Sequence, residues 1–268
     1  MFRFCSLYSS SSGNCFFLET DKTKLLIDCG ESAKKIINAL SDININIENI
    51  NAILVTHEHI DHVKSLGTIS KKYNIPIYTN IETLNAMPDQ KNKINEKNIN
   101  LFNIGETFYI DDLKIYPFSI PHDAANPCGF NIYYNNKKIS IATDLGHITP
   151  EIINNLEKSC FLMIESNYDS NTLKCSSYPY YLKERISGPY GHLSNSLAGQ
   201  TISHLINTGL KNIMLGHLSK ENNFPELAYK TVMEEIINNN KNYSTNNNLN
   251  INLNVATRFK HSDIIDII

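Results

Sequence analysis

Tryptophan is absent from the 268 residues, and none of the six cysteines (Cys5, Cys15, Cys29, Cys128, Cys160, Cys175) forms a Cys-x-x-Cys pair. The missing pair removes zinc knuckles and thioredoxin-type sites from consideration. Thiols so scattered fit a reducing cytosol better than a disulfide framework, so a cytoplasmic location is expected. No apolar run reaches the ~20 residues of a membrane span, and Met1-Phe2-Arg3-Phe4-Cys5 shows no basic region before a long apolar stretch. Neither membrane insertion nor a signal peptide is expected. Positive charge is also in short supply: the net charge is −3 and the pI about 6.3. That argues against charge-driven, nonspecific polyanion binding but leaves a local groove open. Solenoid-type repeats are missing. The abundance of Asn, Lys and Ile reads as coding bias rather than as a functional tract. What is present is apolar material, 41% of residues, enough for a sizeable core. The length suits one large domain or two small ones, and one domain is taken, 1–268.

The chain is organised around residues 52–62, Ala-Ile-Leu-Val-Thr-His-Glu-His-Ile-Asp-His. The branched apolar run Ile53-Leu54-Val55 predicts a fully buried strand, so the residues just past it are held firmly. His57 and His59 are two apart and face one side in an extended loop. Asp61 and His62 fall where a helix through Val63, Leu66 and Ile69 should begin, and the helix dipole favours Asp there. Imidazoles and a carboxylate are ordinary ligands of zinc and similar ions. A merely polar, histidine-rich turn explains four ligand-type side chains in six positions poorly. The zincin H-E-x-x-H pattern does not apply, because position 61 is Asp where the second His is required.

Elsewhere the same grammar recurs, with buried strands ending in acids or histidines. Strands are expected at 2–8 and 15–19 around Ser9-Ser10-Ser11-Ser12-Gly13-Asn14, which is either a simple turn or a rim of N–H and hydroxyl groups for an anionic substrate. The stretch Lys24-Leu25-Leu26-Ile27-Asp28-Cys29-Gly30 reads as a buried strand ending in an acid, ahead of a helix at 32–40 that Asp28 could cap. A helix follows over 62–73, then a strand at 75–79, a short helix at 81–87, and a solvated loop from Asp89 to Asn100. Strands at 101–104, 107–110 and 112–119 lead to His122, and a hairpin at 129–134 and 138–143 leads to Asp144. His147 reads as structural. A helix at 149–158 and a strand at 160–165 precede a polar stretch from Glu165 to Asp169, a second possible rim. Residues 170–190 interleave Tyr178, Tyr180, Tyr181, Lys183 and Arg185, which suits either base stacking and phosphate contact or an amphipathic helix on the core. His192 precedes a helix that Ser194 should cap; His204 lies inside it and is not read as a ligand. The strand at 212–216 ends in His217. A helix at 225–239, an Asn-rich loop at 240–249 and a strand at 250–256 close the pattern.

The pattern H-x-H-x-D-H resembles the signature of the metallo-β-lactamase-fold hydrolases. The ordered set His57, His59, Asp61, His62, His122, Asp144 and His217 covers that superfamily's motifs from end to end. The resemblance implies an α+β fold, a four-layered αββα sandwich, with two divalent ions per chain, zinc first and manganese or iron as alternatives. It assigns His57, His59, His122 and Asp144 to one ion, and Asp61, His62, His217 and the shared Asp144 to the other. It also implies that Asp28 supports the ligand loop from behind, as acids that orient metal-bound imidazoles do. Flanking stretches are most similar to the YycJ (WalJ, VicX) group of bacterial hydrolases. They are Ser11–Asn14, Ile120–Asp123, Ala142–Gly146, Gly191–Asn195 and Gly216–Asn223. That group implies 5′-to-3′ exonuclease action on DNA, with RNA as a possible substrate, and links to DNA repair and cell-wall signalling. The stretch from Asp144 to His192 is too short for the β-CASP insertion of related nucleases.

The implied chemistry is phosphodiester hydrolysis by a hydroxide held between two ions about 3.5–4 Å apart. Asp61 would also orient the nucleophile. His192 resembles a non-ligand His beside the scissile phosphate in related nucleases and would serve the leaving group. Ser12, Asn14, Lys220 and Asn222 are candidate phosphate contacts. A glyoxalase II-like thioesterase shares the ligand set and is one alternative. A noncatalytic regulator of cell-wall signalling that retains the site is another. A β-lactamase fits less well, because its second site typically carries a Cys ligand.

Overall fold

Strands take the apolar runs almost where the pattern places them. The computed structural model describes residues 1–240 and 251–267, so positions 241–249 of the expected Asn-rich loop lie outside the described residues. The chain forms two units, Met1–Ser119 with Ala124–Asn136 and Thr257–Ile268, and Ile120–Asp123 with Lys137–Ala256.

In the first unit β1 (Phe2–Tyr8), β2 (Cys15–Thr20) and β3 (Lys24–Ile27) form an antiparallel meander. The sheet then turns parallel through β4 (Ala52–Leu54), β5 (Ile77–Thr79) and β6 (Ile99–Leu101). Every residue of β2 and β4 is buried, the mark of strands covered on both faces. Beneath this sheet lie α1 (Ala33–Asp42), α2 (Ile60–Val63), α3 (Leu66–Tyr73), α4 (Ile81–Ala86) and α5 (Pro88–Lys91). Ile36, Ala39 and Leu40 recur at helical spacing on α1 and join Leu66 and Ile69 of α3 against Leu26, Ile53 and Ile77. A second meander, β7 (Phe108–Ile110), β8 (Leu113–Ser119) and β9 (Cys128–Tyr134), completes the middle of this unit.

Two expectations need correction here. The single helix over 62–73 is broken at Ser65. Its i→i+4 bond would join the Asp61 carbonyl to the Ser65 N–H, but Asn14 N donates to that carbonyl (2.8 Å) and Ser65 N donates to Cys29 O (3.0 Å). The loops carrying Asn14 and Cys29 thereby claim both groups. Residues 89–100 are not a solvated loop: Pro88 opens α5, a 3₁₀ turn follows at Glu96–Asn98, and β6 pairs with β5. Gln90 is buried there and accepts from Gly67 N (3.1 Å).

The second unit carries four parallel strands in the order β10 (Lys137–Ala142), β11 (Phe161–Glu165), β12 (Asn212–Gly216) and β13 (Asn252–Val255). Its helices are α6 (Pro150–Leu156), α7 (Ser170–Cys175), α8 (Tyr180–Ser187), α9 (Asn195–Ile206) and α10 (Pro225–Asn239). Ser194 caps α9, accepting from Leu197 N (3.3 Å). Gly199 lets α9 approach α10 closely, since a Cβ there would sit 2.6 Å from Glu235 Cβ. Residues 170–190 become two short helices; α8 has no fully buried side chain, with Leu182, Lys183 and Ile186 half-buried on one face and Tyr180, Tyr181 and Arg185 exposed. A short strand missed in the sequence, β14 (Ile265–Asp266), returns to the first unit and pairs with β1. Among the described residues no helix is long and apolar enough to cross a membrane.

Candidate metal centre

In the first unit the ligand-type residues follow β4. Asp28, just past the parallel neighbour β3, takes a left-handed backbone (φ 62°) and is fully buried. Its carboxylate accepts from Thr56 N (2.9 Å), from Thr56 Oγ1 (2.8 Å) and from His62 Nδ1 (2.8 Å). With Nδ1 of His62 so engaged, Nε2 is the ring nitrogen left for a ligand bond; it lies 3.4 Å from Asp61 Oδ2. His57 Nδ1 is 3.0 Å from Thr56 Oγ1, and its Nε2 is 3.1 Å from His59 Nδ1. Thr56 therefore links Asp28 to His57 and His62, a role its sequence position beside three histidines did not reveal.

The loop before β2 braces this cluster. Asn14 is wholly buried; its Oδ1 accepts from Ser10 N (3.1 Å), and its Nδ2 reaches Asp61 Oδ2 (3.4 Å) and His62 Nε2 (3.2 Å). Its side chain is thus spent on the ligand loop. Ser12 is exposed, and its Oγ accepts from Arg258 Nη1 (2.9 Å). At Gly30 the chains meet so closely that a Cβ would stand 1.6 Å from Asp61 O and 2.6 Å from Asn14 N. Gly30→Ala is expected to push the Asp61 backbone aside and to destabilise the protein by about 3 kcal/mol. A urea-unfolding midpoint equal to that of the unmodified protein would overturn this.

In the second unit four residues converge from four strand ends and loops. Asp144 follows β10 with φ 61° and His217 follows β12 with φ 55°. Asp144, Glu165, His192 and His217 each offer one ligand-type atom, all within 4.8 Å of one another. His217 Nε2 lies 3.4 Å from Asp144 Oδ1. His122 donates through Nδ1 to Gly191 O (3.1 Å), which leaves its Nε2, 3.7 Å from Asp144 Oδ1, as the ligand-side nitrogen.

Glu165, the last residue of β11, organises this cluster. Its Oε1 accepts from His217 Nδ1 (2.6 Å) and His192 Nδ1 (2.8 Å), and its Oε2 accepts from Leu145 N (2.8 Å) and Leu193 N (2.9 Å). Burial alone would raise its pKa, but the facing imidazoles of His192 and His217 outweigh that and hold it well below the usual carboxylate range. An acid at the end of an apolar strand was the available signal, the same one carried by Asp28 and Asp144. Asn167 adds a bond from Nδ2 to His217 O (2.7 Å). His147 is exposed against Pro189 O, and His204 is exposed on α9. Lys220 is exposed beside Glu221, whereas Asn222 is buried with its Nδ2 on Ser219 Oγ (3.3 Å).

The donor chemistry fits a metal ion. His62, His122 and His217 are buried, and each has one ring nitrogen fixed by an acid or carbonyl while the other faces a carboxylate. Metal-bound histidines are oriented in this way.

Comparison with known proteins agrees with this chemistry. The family model of the metallo-beta-lactamase superfamily matches residues 10–217. The chain is 38% identical to exodeoxyribonuclease WalJ of Streptococcus pneumoniae over 88% of each chain. It is 35% identical to exodeoxyribonuclease YycJ of Bacillus anthracis over 86% of this chain and 88% of that one. The metallo-beta-lactamase fold protein YhfI of Bacillus subtilis superposes with a TM-score of 0.71 at 15% identity, covering 97% of this chain and 99% of the other. The expected fold is therefore the one found, and the chain belongs to the metallo-β-lactamase superfamily.

Proposed function

We propose that the chain is a metal-dependent hydrolase acting on DNA as an exonuclease, with both units working as one catalytic domain. The observation that carries this is the set of buried imidazoles oriented through one nitrogen each, in a chain 38% identical to a WalJ exodeoxyribonuclease. In the proposal His57, His59, His122 and Asp144 hold one ion, and Asp61, His62, His217 and the shared Asp144 hold a second, zinc before manganese or iron. Such ions, when bound, supply an activated water and neutralise phosphoryl charge.

The remaining work falls to the chain's own side chains. Asp28 and Glu165 fix the tautomers of His62 and His217, so that Nε2 of each points its lone pair outward. Asp61 accepts a hydrogen bond from the attacking water and aims it at phosphorus. His192 has its Nδ1 held by Glu165 and its side chain partly exposed, so its Nε2 is available to give a proton to the leaving oxygen. The Glu165 carboxylate holds the ring through Nδ1, which fixes the direction in which Nε2 points. Ser12 and Lys220 contact substrate phosphates, while Asn14 and Asn222 hold the loops that present them. The six free thiols suit a cytoplasmic enzyme.

The test is turnover of 5′-phosphorylated DNA, RNA and a small phosphodiester by purified protein of known metal content, with and without chelator, beside His59→Ala. Chelator-sensitive nucleotide release that is absent in His59→Ala is the expected result. Bound metal without nucleic-acid cleavage would overturn the assignment.

A further inference from the structure

We propose that Thr257-Arg258-Phe259-Lys260-His261 is a grip for single-stranded nucleic acid, with Phe259 stacking on a base while Arg258 and Lys260 meet phosphates. The grip rests on the reading above that the chain handles nucleic acid, and it accounts for how a chain without a large substrate-binding insertion holds a polymer.

Phe259 is 81% exposed, more than any other large hydrophobic side chain among the described residues. An aromatic ring left in water gains nothing for the fold. Around it a chain of net charge −3 places Arg258, Lys260 and His261 within four positions, opposed locally by Asp263. Basic side chains beside an exposed ring are the two parts of a sequence-tolerant strand-binding site, because every base has a π-face and every nucleotide a phosphate.

The segment is also held in shape before any ligand arrives. Ser9 N donates to Thr257 O (3.3 Å) and Ser262 N to Ser6 O (2.8 Å), which anchors both ends to the β1 region. Ser262 Oγ accepts from Ser6 N (3.1 Å), and the Thr257 hydroxyl bonds the Lys260 carbonyl across the turn. A loop so braced loses little entropy on binding.

Its position ties it to the chemistry. Arg258 Nη1 donates to Ser12 Oγ (2.9 Å), and the loop that carries Ser12 ends at Asn14, whose Nδ2 lies 3.4 Å from Asp61 Oδ2. Arg258 thus links the segment that carries Phe259 to the loop that braces the ligand segment of this unit.

The experiment is equilibrium binding of a 5′-phosphorylated, phosphorothioate-linked oligo(dT) to the metal-loaded protein, read by fluorescence anisotropy over a range of salt. Phe259→Ala should weaken binding roughly tenfold or more, and Phe259→Trp should restore it. Replacing Arg258 and Lys260 by Ser should flatten the slope of log affinity against log salt by about 0.7 for each phosphate no longer neutralised. Thermal melting checks that each variant stays folded. Equal affinity of Phe259→Ala and unmodified protein would overturn the grip while leaving cleavage, and the nuclease assignment, intact. Tight binding that disappears in Phe259→Ala, in a protein that cleaves no DNA, would support the grip and sink the assignment. Absence of any oligonucleotide binding would sink both.

Discussion

His192→Ala is expected to keep its metal and lose most of its turnover, by about 10²- to 10⁴-fold in kcat, the usual share of a positioned acid. The split follows from where each imidazole nitrogen goes. Nδ1 of His192 is taken by Glu165 at 2.8 Å, and the side chain retains 20% exposure, more than the buried His62, His122 and His217. Its removal takes away a proton donor and leaves Glu165 still bonded to His217, Leu145 and Leu193. Metal content by elemental analysis, measured beside kcat, decides the matter. Parallel loss of metal and turnover would make His192 a ligand and overturn its assignment as the acid.

Glu165→Ala should do the largest damage to stability, about 3–5 kcal/mol, because it removes the acceptor for three buried donors and for the partly exposed His192 at once. Glu165→Gln separates shape from charge. One face of the carboxylate meets two backbone N–H groups and the other meets two Nδ1 atoms, so an amide NH₂ must confront donors on one side. If it faces the histidines, they can accept only as the opposite tautomer, and Nε2 of His217 then carries a proton where a lone pair is needed. Glu165→Gln is therefore expected to fold better than Glu165→Ala yet bind metal about 10–100-fold more weakly. Denaturant midpoints and metal titration measure the two effects separately. Unchanged metal affinity in Glu165→Gln would show that Glu165 acts on packing alone.

The strand framework and much of the ligand inventory were legible because both obey short-range rules. A buried strand has a fixed end, and the sequence sets Asp28, Asp144, Glu165 and His217 at or just past such ends. What stayed hidden depends on partners distant in sequence. The break at Ser65 exists because Asn14 and Cys29 claim the Asp61 carbonyl and the Ser65 N–H, and no local propensity records that. The stretch 89–100 looked solvated because the residues that bury it include Gln90 and Asn98, polar side chains whose bonds only the fold supplies. Glu165 carried the right signal, but nothing in its neighbourhood told which imidazoles it would meet. Asn14 and Asn222 sit in polar loops, and only the fold shows that both side chains are buried.

Asp28, Asp144 and His217 share one costly property: each is a non-glycine residue held at positive φ, at 62°, 61° and 55°. Such a conformation costs on the order of 1 kcal/mol or more wherever the surroundings impose it. Glycine would relax the backbone at each of these positions, but it would also delete a carboxylate or imidazole from the centre. At Asp28 it would strip the acceptor from Thr56 N, Thr56 Oγ1 and His62 Nδ1, a loss larger than the relief. At Asp144 and His217 the need for chemistry and the scope for hardening the fold are set against each other. Laboratory evolution toward a more robust enzyme should accordingly leave them untouched and accumulate its changes elsewhere.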